Sequence, residues 1–595
     1  MLGFLTVVLL LLAGPASAAV GPSIQRCPAD FELVRRGQGI SVSEARYIEQ
    51  KREKVLPSAF KTYLHNVQRT GVTLPDYVEK ILQSTNQLPT VGISTSGGGF
   101  RAAIFGAGVL NALDARNSSS VEKGTGGLLQ AATHLAGLSG GSWLVTSLAQ
   151  ANFPTIQHLV FGDGRGGDFG GWIPEFDIWT VSTDPAVQAT YVDELLQEIA
   201  VKAKHFPVSV GDGWGRALAR HFSNGTSAAN FLANTSHGAG ILFSDLINLP
   251  TLASHELPFP IITADLLSKH INGTIFPGGN FVPLNTPMFE FNIFEMGCFD
   301  DVLAAHTPTK HLGTTNSSVC VTGFDEAMFL SGTSSNLWNE LNITAEILAE
   351  NTANFSILVN ETYPQSPALR LDTSNFPNPF HGVAPQTFAD AGETILVLCD
   401  GGEDGQVSPL QPMLVKDRKI DVILAIDAVR TDDADGFAGG ASLIATQDRM
   451  QLFQSGLATF PSVPTTLAAF AAANLSSRPT FFGCTPDFVH ARWGTPPAQG
   501  PLLVYIANGA PPRDGAPPLT NTSTFQSVYS APEMQGMLMQ TFVTATQGAV
   551  VGDALEDPEW GACLACAVVD RARAREGVSR SGVCTTCFAR YCWEG

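Results

Sequence analysis

The chain has 595 residues, of which 44% are hydrophobic and 15% charged, so it is long and apolar enough to bury a large core. Its formal net charge of −20 makes nucleic acid an unsuitable partner and would repel anionic surfaces, whereas zwitterionic surfaces are not excluded. Neither a linker nor a repeat nor a low-complexity tail divides the sequence, which predicts one elaborated domain over residues 19–595.

The chain begins with a short apolar run, residues 4–12, followed by small residues that end at Ala18. This pattern predicts a secretory signal peptide over residues 1–18. No later segment reaches about 18 uninterrupted apolar residues, which predicts no transmembrane segment. The sequence ends at Gly595 without a hydrophobic tail, which predicts no GPI anchor. We therefore expect a freely secreted, extracellular protein.

Ten N-x-S/T sequons agree with a secretory route, because the asparagine of such a sequon is the acceptor for N-glycosylation. The predicted glycosylation sites are Asn117, Asn224, Asn234, Asn272, Asn316, Asn342, Asn354, Asn360, Asn474 and Asn521.

The first chemical motif follows a strand predicted over residues 90–94. It reads Ser96-Gly97-Gly98-Gly99-Phe100-Arg101 and leads into a helical pattern over residues 102–113. Glycines between a strand and a helix let backbone N–H groups converge, which favours an oxyanion hole, and Arg101 can reach an anionic group. The alternatives are a nucleotide-binding loop, which the missing G-K-[ST] disfavours, and a simple tight turn.

The second motif, Gly137-Leu138-Ser139-Gly140-Gly141-Ser142-Trp143, has the G-x-S-x-G form of a nucleophile elbow. A strand is predicted before it, over residues 133–136, and a helix after it, over residues 143–148. Ser139 is therefore the candidate nucleophile. The alternative is a glycine-rich loop without catalytic meaning.

The region of residues 153–240 combines helical patterns with glycine-rich turns, and we expect it to form a cap over the site. A phenylalanine-rich stretch follows, which favours ordinary core over an acyl-binding slot; it contains Phe281, Phe289, Phe291, Phe294 and Phe299.

The third motif places Asp400 at the end of a predicted strand, residues 395–399, and before a Gly-Gly-Glu-Asp-Gly run. An acid in this position can accept a proton from a serine hydroxyl. The alternatives are a simple Asp-Gly-Gly turn and a calcium loop, but the D-x-[DN]-x-[DN]-G spacing of a calcium loop is absent. Further strands are predicted over residues 259–265, 421–427 and 502–507, and their alternation with helices predicts an α/β sandwich.

Ten cysteines in a secreted chain predict disulfides, although their pairing cannot be deduced from the sequence. The segment 563–592 is rich in cysteine. Its two C-x-x-C pairs, Cys563 with Cys566 and Cys584 with Cys587, could form a zinc ribbon in a cytosolic protein. The secretory context and the additional Cys592 favour disulfides, so we expect no bound metal.

Three motifs in this order resemble the fungal secreted lysophospholipases, also called phospholipases B. They are the runs from Ser96 to Ala102, from Gly137 to Trp143 and from Cys399 to Gln406. The resemblance extends to Phe289-Glu290-Phe291, Gly323-Phe324-Asp325, Gly332-Thr333-Ser334-Ser335 and the C-terminal Tyr591-Cys592-Trp593. The catalytic domain of that family is similar to cytosolic phospholipase A2, which implies a three-layer sandwich with a central, mostly parallel sheet, and a cap.

The resemblance implies a carboxylic ester hydrolase that releases fatty acid from lysophospholipids or phospholipids, presented in micelles or at a membrane surface. It implies a dyad of Ser139 and Asp400, oxyanion donors at Gly98 and Gly99, and a phosphate contact from Arg101. It implies neither a cofactor nor a calcium requirement, since no calcium-dependent membrane module precedes the motifs.

Two other hypotheses remain open. The first is a secreted α/β-hydrolase lipase or esterase with a triad of Ser139, Asp400 and His490, although its usual His-Gly-Gly-Gly loop is absent. The second is a glycosylated binding protein without catalysis, against which the intact Ser139, Asp400 and Arg101 argue.

Overall fold

The computed structural model describes residues 21–162, 170–273, 282–341, 370–430, 436–453, 456–484 and 500–595. The predicted signal peptide lies outside these residues. The strands are β1 (Ser23–Arg26), β2 (Arg35–Arg36), β3 (Val91–Thr95), β4 (His134–Gly137), β5 (Phe259–Leu266), β6 (Met288–Asn292), β7 (Glu295–Cys298), β8 (Ala305–Pro308), β9 (Val319–Thr322), β10 (Ser374–Pro377), β11 (Ile395–Asp400), β12 (Val422–Asp427), β13 (Thr480–Phe482) and β14 (Leu502–Ala507).

The α-helices of the described residues are α1 (Val42–Lys54), α2 (Leu56–Gln68), α3 (Asp76–Gln83), α4 (Gly99–Leu113), α5 (Ser118–Glu122), α6 (Leu128–Ala131), α7 (Gly140–Gln150), α8 (Ile156–Phe161), α9 (Pro185–Ala203), α10 (Val210–Phe222), α11 (Pro250–Ala253), α12 (Ala327–Ser334), α13 (Ala441–Leu452), α14 (Leu467–Ala472), α15 (Ala531–Gln547), α16 (Trp560–Arg575) and α17 (Val583–Tyr591).

One mixed sheet of twelve strands organises the molecule, with the order β13-β14-β12-β3-β4-β5-β6-β7-β8-β2 and β10-β11 attached to β5. The five strands from β14 to β5 are parallel, and the flanking strands are antiparallel. Every residue of these five parallel strands is buried. A parallel section buried on both faces has a helical layer on each side, so the expected α/β sandwich is confirmed.

The region expected to be the cap contains α8, α9 and α10. Helix α10 is buried along its whole length and packs on α9, α12 and β10. A capping box at its first turn, in which Ser209 and Asp212 exchange hydrogen bonds with each other's backbone N–H groups, fixes where α10 begins. That these helices close over the site stays a prediction.

Eight of the ten cysteines form four disulfides: Cys27–Cys320, Cys484–Cys592, Cys563–Cys587 and Cys566–Cys584. The expectation that the C-terminal cysteines pair as disulfides is thus confirmed. The last three bridges join α16 and α17 to each other and to the chain after β13. Cys298 and Cys399 are buried free thiols.

Candidate active site

The carboxyl ends of β4 and β11 meet head on along one side of β5. Strand β4 runs parallel to β5 and ends with Gly137 opposite Ile262, whereas β11 runs antiparallel and ends with Asp400 opposite Ala264. Because Ser139 is two residues beyond Gly137, and Ala264 is two residues beyond Ile262, Ser139 and Asp400 come to the same level of β5. The register therefore brings the second and third motifs together.

Ser139 has φ 50° and ψ −124°, a backbone conformation that residues with a side chain rarely adopt. Three hydrogen bonds hold it there. Its N–H lies 3.1 Å from both the carbonyl oxygen and the Oγ of Ser334, and its own carbonyl accepts from the Oγ of Ser142 at 2.6 Å. Strain that is held by such contacts is typical of a serine presented on a sharp turn between a strand and a helix.

Asp400 is held by the chain around it. Its N–H donates to the carbonyl of Asn336 at 3.0 Å, and its Oδ1 accepts from the N–H of Gly402 at 2.8 Å. The N–H of Gly401 donates to the carbonyl of Ser334 at 3.3 Å, the same oxygen that binds the N–H of Ser139. One short segment at the end of α12 thus fixes both the serine and the acid.

The glycine loop lies directly against the serine. A Cβ added to Gly97 would lie 2.8 Å from the Cβ of Ser139, and one added to Gly140 would lie 2.1 Å from the carbonyl oxygen of Gly99. Gly98 has φ 124°, which side chains disfavour, and Gly99 begins α4. The first N–H groups of a helix have no partner within that helix and carry partial positive charge. Gly98 and Gly99 therefore stand at the start of α4, in the loop that packs against Ser139.

Arg101 is fully buried, and its guanidinium makes four hydrogen bonds. Nε and Nη2 donate to the carbonyl of Ala428 at 3.2 and 3.0 Å, Nη1 donates to the carbonyl of Thr522 at 2.5 Å, and Nη2 donates to the Oγ of Thr524 at 3.2 Å. Burial lowers the pKa of Arg101 to about 10, so it stays protonated at neutral pH. The residue expected to contact phosphate is thus present at the loop, but it is covered by residues 522–524.

A buried ionic cluster lies behind the Asp400 loop. The N–H of Asp404 donates to Oδ2 of Asp265 at 3.1 Å, and Arg449 lies 2.7 Å from Asp300 and 3.5 Å from Asp404. Two carboxyl groups, those of Asp300 and Asp404, therefore pair with one guanidinium, and Asp265 is bound to the backbone of Asp404. Burial and the neighbouring Asp404 raise the pKa of Asp265 well above its ordinary value, which favours a neutral Asp265. This cluster fixes the segment that follows Asp400.

Two histidines were considered as partners of Ser139, and only His134 lies among the described residues. His134 begins β4, at the end opposite to the elbow, where its Nδ1 lies 2.9 Å from Oγ of Thr133 and its Nε2 lies 3.6 Å from Glu44. Burial lowers the pKa of His134. The strand alone carries the chain about 10 Å from His134 to Gly137, away from its ring and towards the turn that holds Ser139. His490 lies outside the described residues.

The described sequon asparagines differ in exposure. Asn224, Asn234, Asn272, Asn316 and Asn474 are exposed, whereas Asn117 and Asn521 are half-buried. Asn342, Asn354 and Asn360 lie outside the described residues, as does Phe281. The other phenylalanines of this stretch pack against the core, for example Phe289 against the ring of Phe380 and Phe291 against that of Phe376.

The turn after α12 contributes contacts that none of the three motifs predicts. Besides the Ser334 carbonyl, this turn supplies the Oγ of Ser335, which accepts from the indole N–H groups of Trp143 and Trp214 at 2.9 and 3.0 Å. It thereby ties α7 and α10 to the site. The only sequence signal was the Gly332-Thr333-Ser334-Ser335 run, which does not reveal a contact made by a backbone carbonyl.

Comparison with known proteins gives a consistent result. The family described as lysophospholipase catalytic domain matches residues 91–595. Lysophospholipase 3 of Aspergillus fumigatus is 33% identical, over 96% of this chain and 87% of its own length, and lysophospholipase 3 of Saccharomyces cerevisiae is 32% identical over 96% and 81%. Among solved structures, human GIVD cytosolic phospholipase A2 superposes with a TM-score of 0.60 at 15% identity, over 93% of this chain and 70% of that chain.

Proposed function

This chain belongs to the lysophospholipase catalytic-domain family, and on that premise we propose that it hydrolyses the fatty-acyl esters of lysophospholipids and phospholipids through an acyl-enzyme on Ser139. The observation that carries this proposal is the head-on meeting of β4 and β11, which brings Ser139 and Asp400 to one level of β5. A strained serine, a buried carboxylate and a glycine loop then share one small volume.

In the first half of the reaction, Asp400 accepts the proton of the Ser139 hydroxyl while Oγ forms a bond to the ester carbonyl carbon. The negative charge that develops on the carbonyl oxygen is stabilised by the N–H groups of Gly98 and Gly99. The tetrahedral intermediate breaks its bond to the alkoxy oxygen, which takes the proton back from Asp400. The glycerophospho-alcohol leaves, and the acyl group remains on Ser139.

In the second half, water attacks the acyl carbon while Asp400 accepts one of its protons. The bond to Oγ breaks, and Ser139 recovers its proton as the fatty acid leaves. Arg101 contributes by pairing its planar guanidinium with the substrate phosphate. No step uses a metal ion or a cofactor, so we expect no calcium requirement.

We also propose that the protein is secreted and N-glycosylated. The four disulfides support passage through an oxidising compartment, and five exposed sequon asparagines offer accessible acceptors. None of the described helices combines the length and the apolar character needed to span a membrane.

The test is to incubate the purified full-length protein with lysophosphatidylcholine and to measure fatty acid and glycerophosphocholine together. The wild type is expected to release both products in equal amounts, and Ser139→Ala, folded as judged by circular dichroism, is expected to release neither. Lipid binding without release by the wild type would identify a binding protein instead.

A further inference from the structure

The segment of residues 520–530, which we call the strap, crosses the site and is anchored at both ends. At one end, Oγ of Thr520 donates to the side-chain carbonyl of Asn508 at 2.7 Å. At the other end, the buried Tyr529 donates its N–H to the carbonyl of Pro174 at 2.9 Å and packs its ring 5.8 Å from that of Phe100. The two ends of the strap are thus tied to different parts of the fold, on either side of the residues that cover Arg101.

The middle of the strap occupies the groups proposed to bind substrate. The carbonyl of Thr522 and the Oγ of Thr524 accept hydrogen bonds from Arg101. A Cβ added to Gly99 would lie only 2.3 Å from the carbonyl oxygen of Thr524, so the strap packs directly on this glycine. A phosphate oxygen bound to Arg101 would need the position that these strap oxygens now hold, so the strap must be displaced before Arg101 can bind phosphate.

The exposed side of the strap is uncharged and carries two large apolar side chains beside Ser523 and Ser530. Phe525 is 73% exposed and Val528 is 46% exposed, and Phe525 directly follows the residue that covers Gly99. Residues 515–532 contain no charged side chain, in a chain whose formal charge is −20. An uncharged segment with an exposed aromatic ring suits insertion into a lipid surface, because charged groups would resist desolvation there.

We propose that the strap is the surface by which this protein docks on a zwitterionic lipid aggregate. Phe525 and Val528 enter the aggregate, and the accompanying displacement of Thr522 and Thr524 uncovers Arg101 and Gly99. This inference rests on the proposed function, because it requires the substrate phosphate to take the position that the Thr522 and Thr524 oxygens now hold. Docking links arrival at lipid to opening of the site.

The docking itself is tested without activity. In a Ser139→Ala background, Phe525→Cys is labelled with an environment-sensitive fluorophore; Cys298 and Cys399 are buried and the other eight cysteines are disulfide-bonded, so position 525 is the labelling site. The control is Val42→Cys on α1, an apolar residue that is 85% exposed. Helix α1 also carries Glu44, which contacts His134 at the end of β4 opposite to Ser139, so the control lies away from the site. All variants carry Asn521→Gln, so that no glycan can account for a difference.

Adding phosphatidylcholine vesicles is expected to shift the emission of the label at position 525 to the blue and to leave the label at position 42 unchanged. Equal shifts, or none at either position, would overturn the docking proposal. Because this readout needs no hydrolysis, it stays interpretable even if the protein does not hydrolyse lysophospholipid.

The coupling to the site is tested with Phe525→Ser/Val528→Ser against Val42→Ser/Ile24→Ser. The strap variant is expected to lose about tenfold or more in hydrolysis of micellar long-chain lysophosphatidylcholine and to keep its kcat/KM on a short-chain lysophospholipid below its micelle concentration. The control variant is expected to match the wild type on both substrates. Equal losses of the strap variant on both substrates would make Phe525 and Val528 structural and contradict the proposal.

The cover is tested with Ser527→Ala, which removes the hydrogen bond that the strap makes to Asp177. Loss of this hydrogen bond is expected to raise activity on the monomeric substrate several-fold, because the strap can then move away from Arg101 even when no lipid aggregate is present. Unchanged or lower activity on the monomer would contradict the cover.

Discussion

The backbone N–H groups of Ser139 and Gly401 donate to one and the same carbonyl oxygen, that of Ser334, at 3.1 and 3.3 Å. One carbonyl oxygen therefore positions both the candidate nucleophile and the residue that follows the candidate base. Small displacements on either side of this point change the distance between the serine and the acid, so activity is expected to be far more sensitive than stability to substitutions here.

Gly97→Ala tests how sensitive activity is to the position of Ser139. The added methyl group would lie 2.8 Å from the Cβ of Ser139, which must shift to admit it. We expect hydrolysis of lysophosphatidylcholine to fall by about 100-fold, as for a misplacement on the order of 1 Å. Gly392→Ala, where a Cβ meets no atom within 4 Å, is the control and should keep full activity. Similar activities for the two variants would mean that the glycine loop does not constrain Ser139.

Arg101→Lys tests the phosphate contact. Lysine cannot reproduce the planar pair of donors, and hydrogen bonds to a charged group are worth about 1.5–3 kcal/mol each. We expect kcat/KM to fall about 10- to 100-fold more on a lysophospholipid than on an uncharged ester of equal acyl length. The bonds of Arg101 to the Ala428 carbonyl predict some loss on both substrates. Equal losses on both would show that Arg101 acts only in the structure.

Removal of metal ions is expected to leave activity unchanged. In the proposed mechanism the nucleophile, the base and the oxyanion donors all come from the protein. The measurement is fatty-acid release from lysophosphatidylcholine after dialysis against EDTA, with and without added calcium. A loss that calcium restores would require a different mechanism.

Acid is expected to destabilise the fold through His221. Burial lowers its pKa from 6.5 to about 4, and one ring nitrogen lies 2.6 Å from the carbonyl of Ile173. Between those pH values the unfolded chain takes up a proton that the folded protein does not. The free energy of unfolding therefore falls as the pH drops from 6.5 towards 4, by on the order of 3 kcal/mol.

Urea unfolding at pH 7 and pH 4.5 measures this effect. His221→Gln keeps a donor for the Ile173 carbonyl but removes the titrating ring, so it should lose about 2 kcal/mol less than the wild type between the two pH values. His65→Gln, at an exposed histidine on α2, should behave as the wild type. The same pH dependence in all three proteins would contradict the assignment to His221.

Much of the fold was predictable because its strands are short apolar runs between glycine-rich turns. The run predicted over residues 502–507 matches β14, and that over residues 395–399 matches β11 within one residue. The motifs also predicted a catalytic pair of Ser139 and Asp400, which stays a prediction. The antiparallel pairing of β11 with β5 was not predictable, since the register of distant strands is set by tertiary packing. The contacts of the Ser334 and Thr522 carbonyls were not predictable for a related reason, because any residue type carries a backbone carbonyl.

The most direct test of a catalytic Ser139–Asp400 dyad is the rate at which a long-chain methyl fluorophosphonate labels the protein, followed by intact mass and peptide mapping. We expect one adduct, on Ser139, formed at equal rates in the wild type and His490→Ala and about 100-fold or more slowly in folded Asp400→Asn. An adduct on another residue, or a His490→Ala as slow as Asp400→Asn, would contradict the dyad.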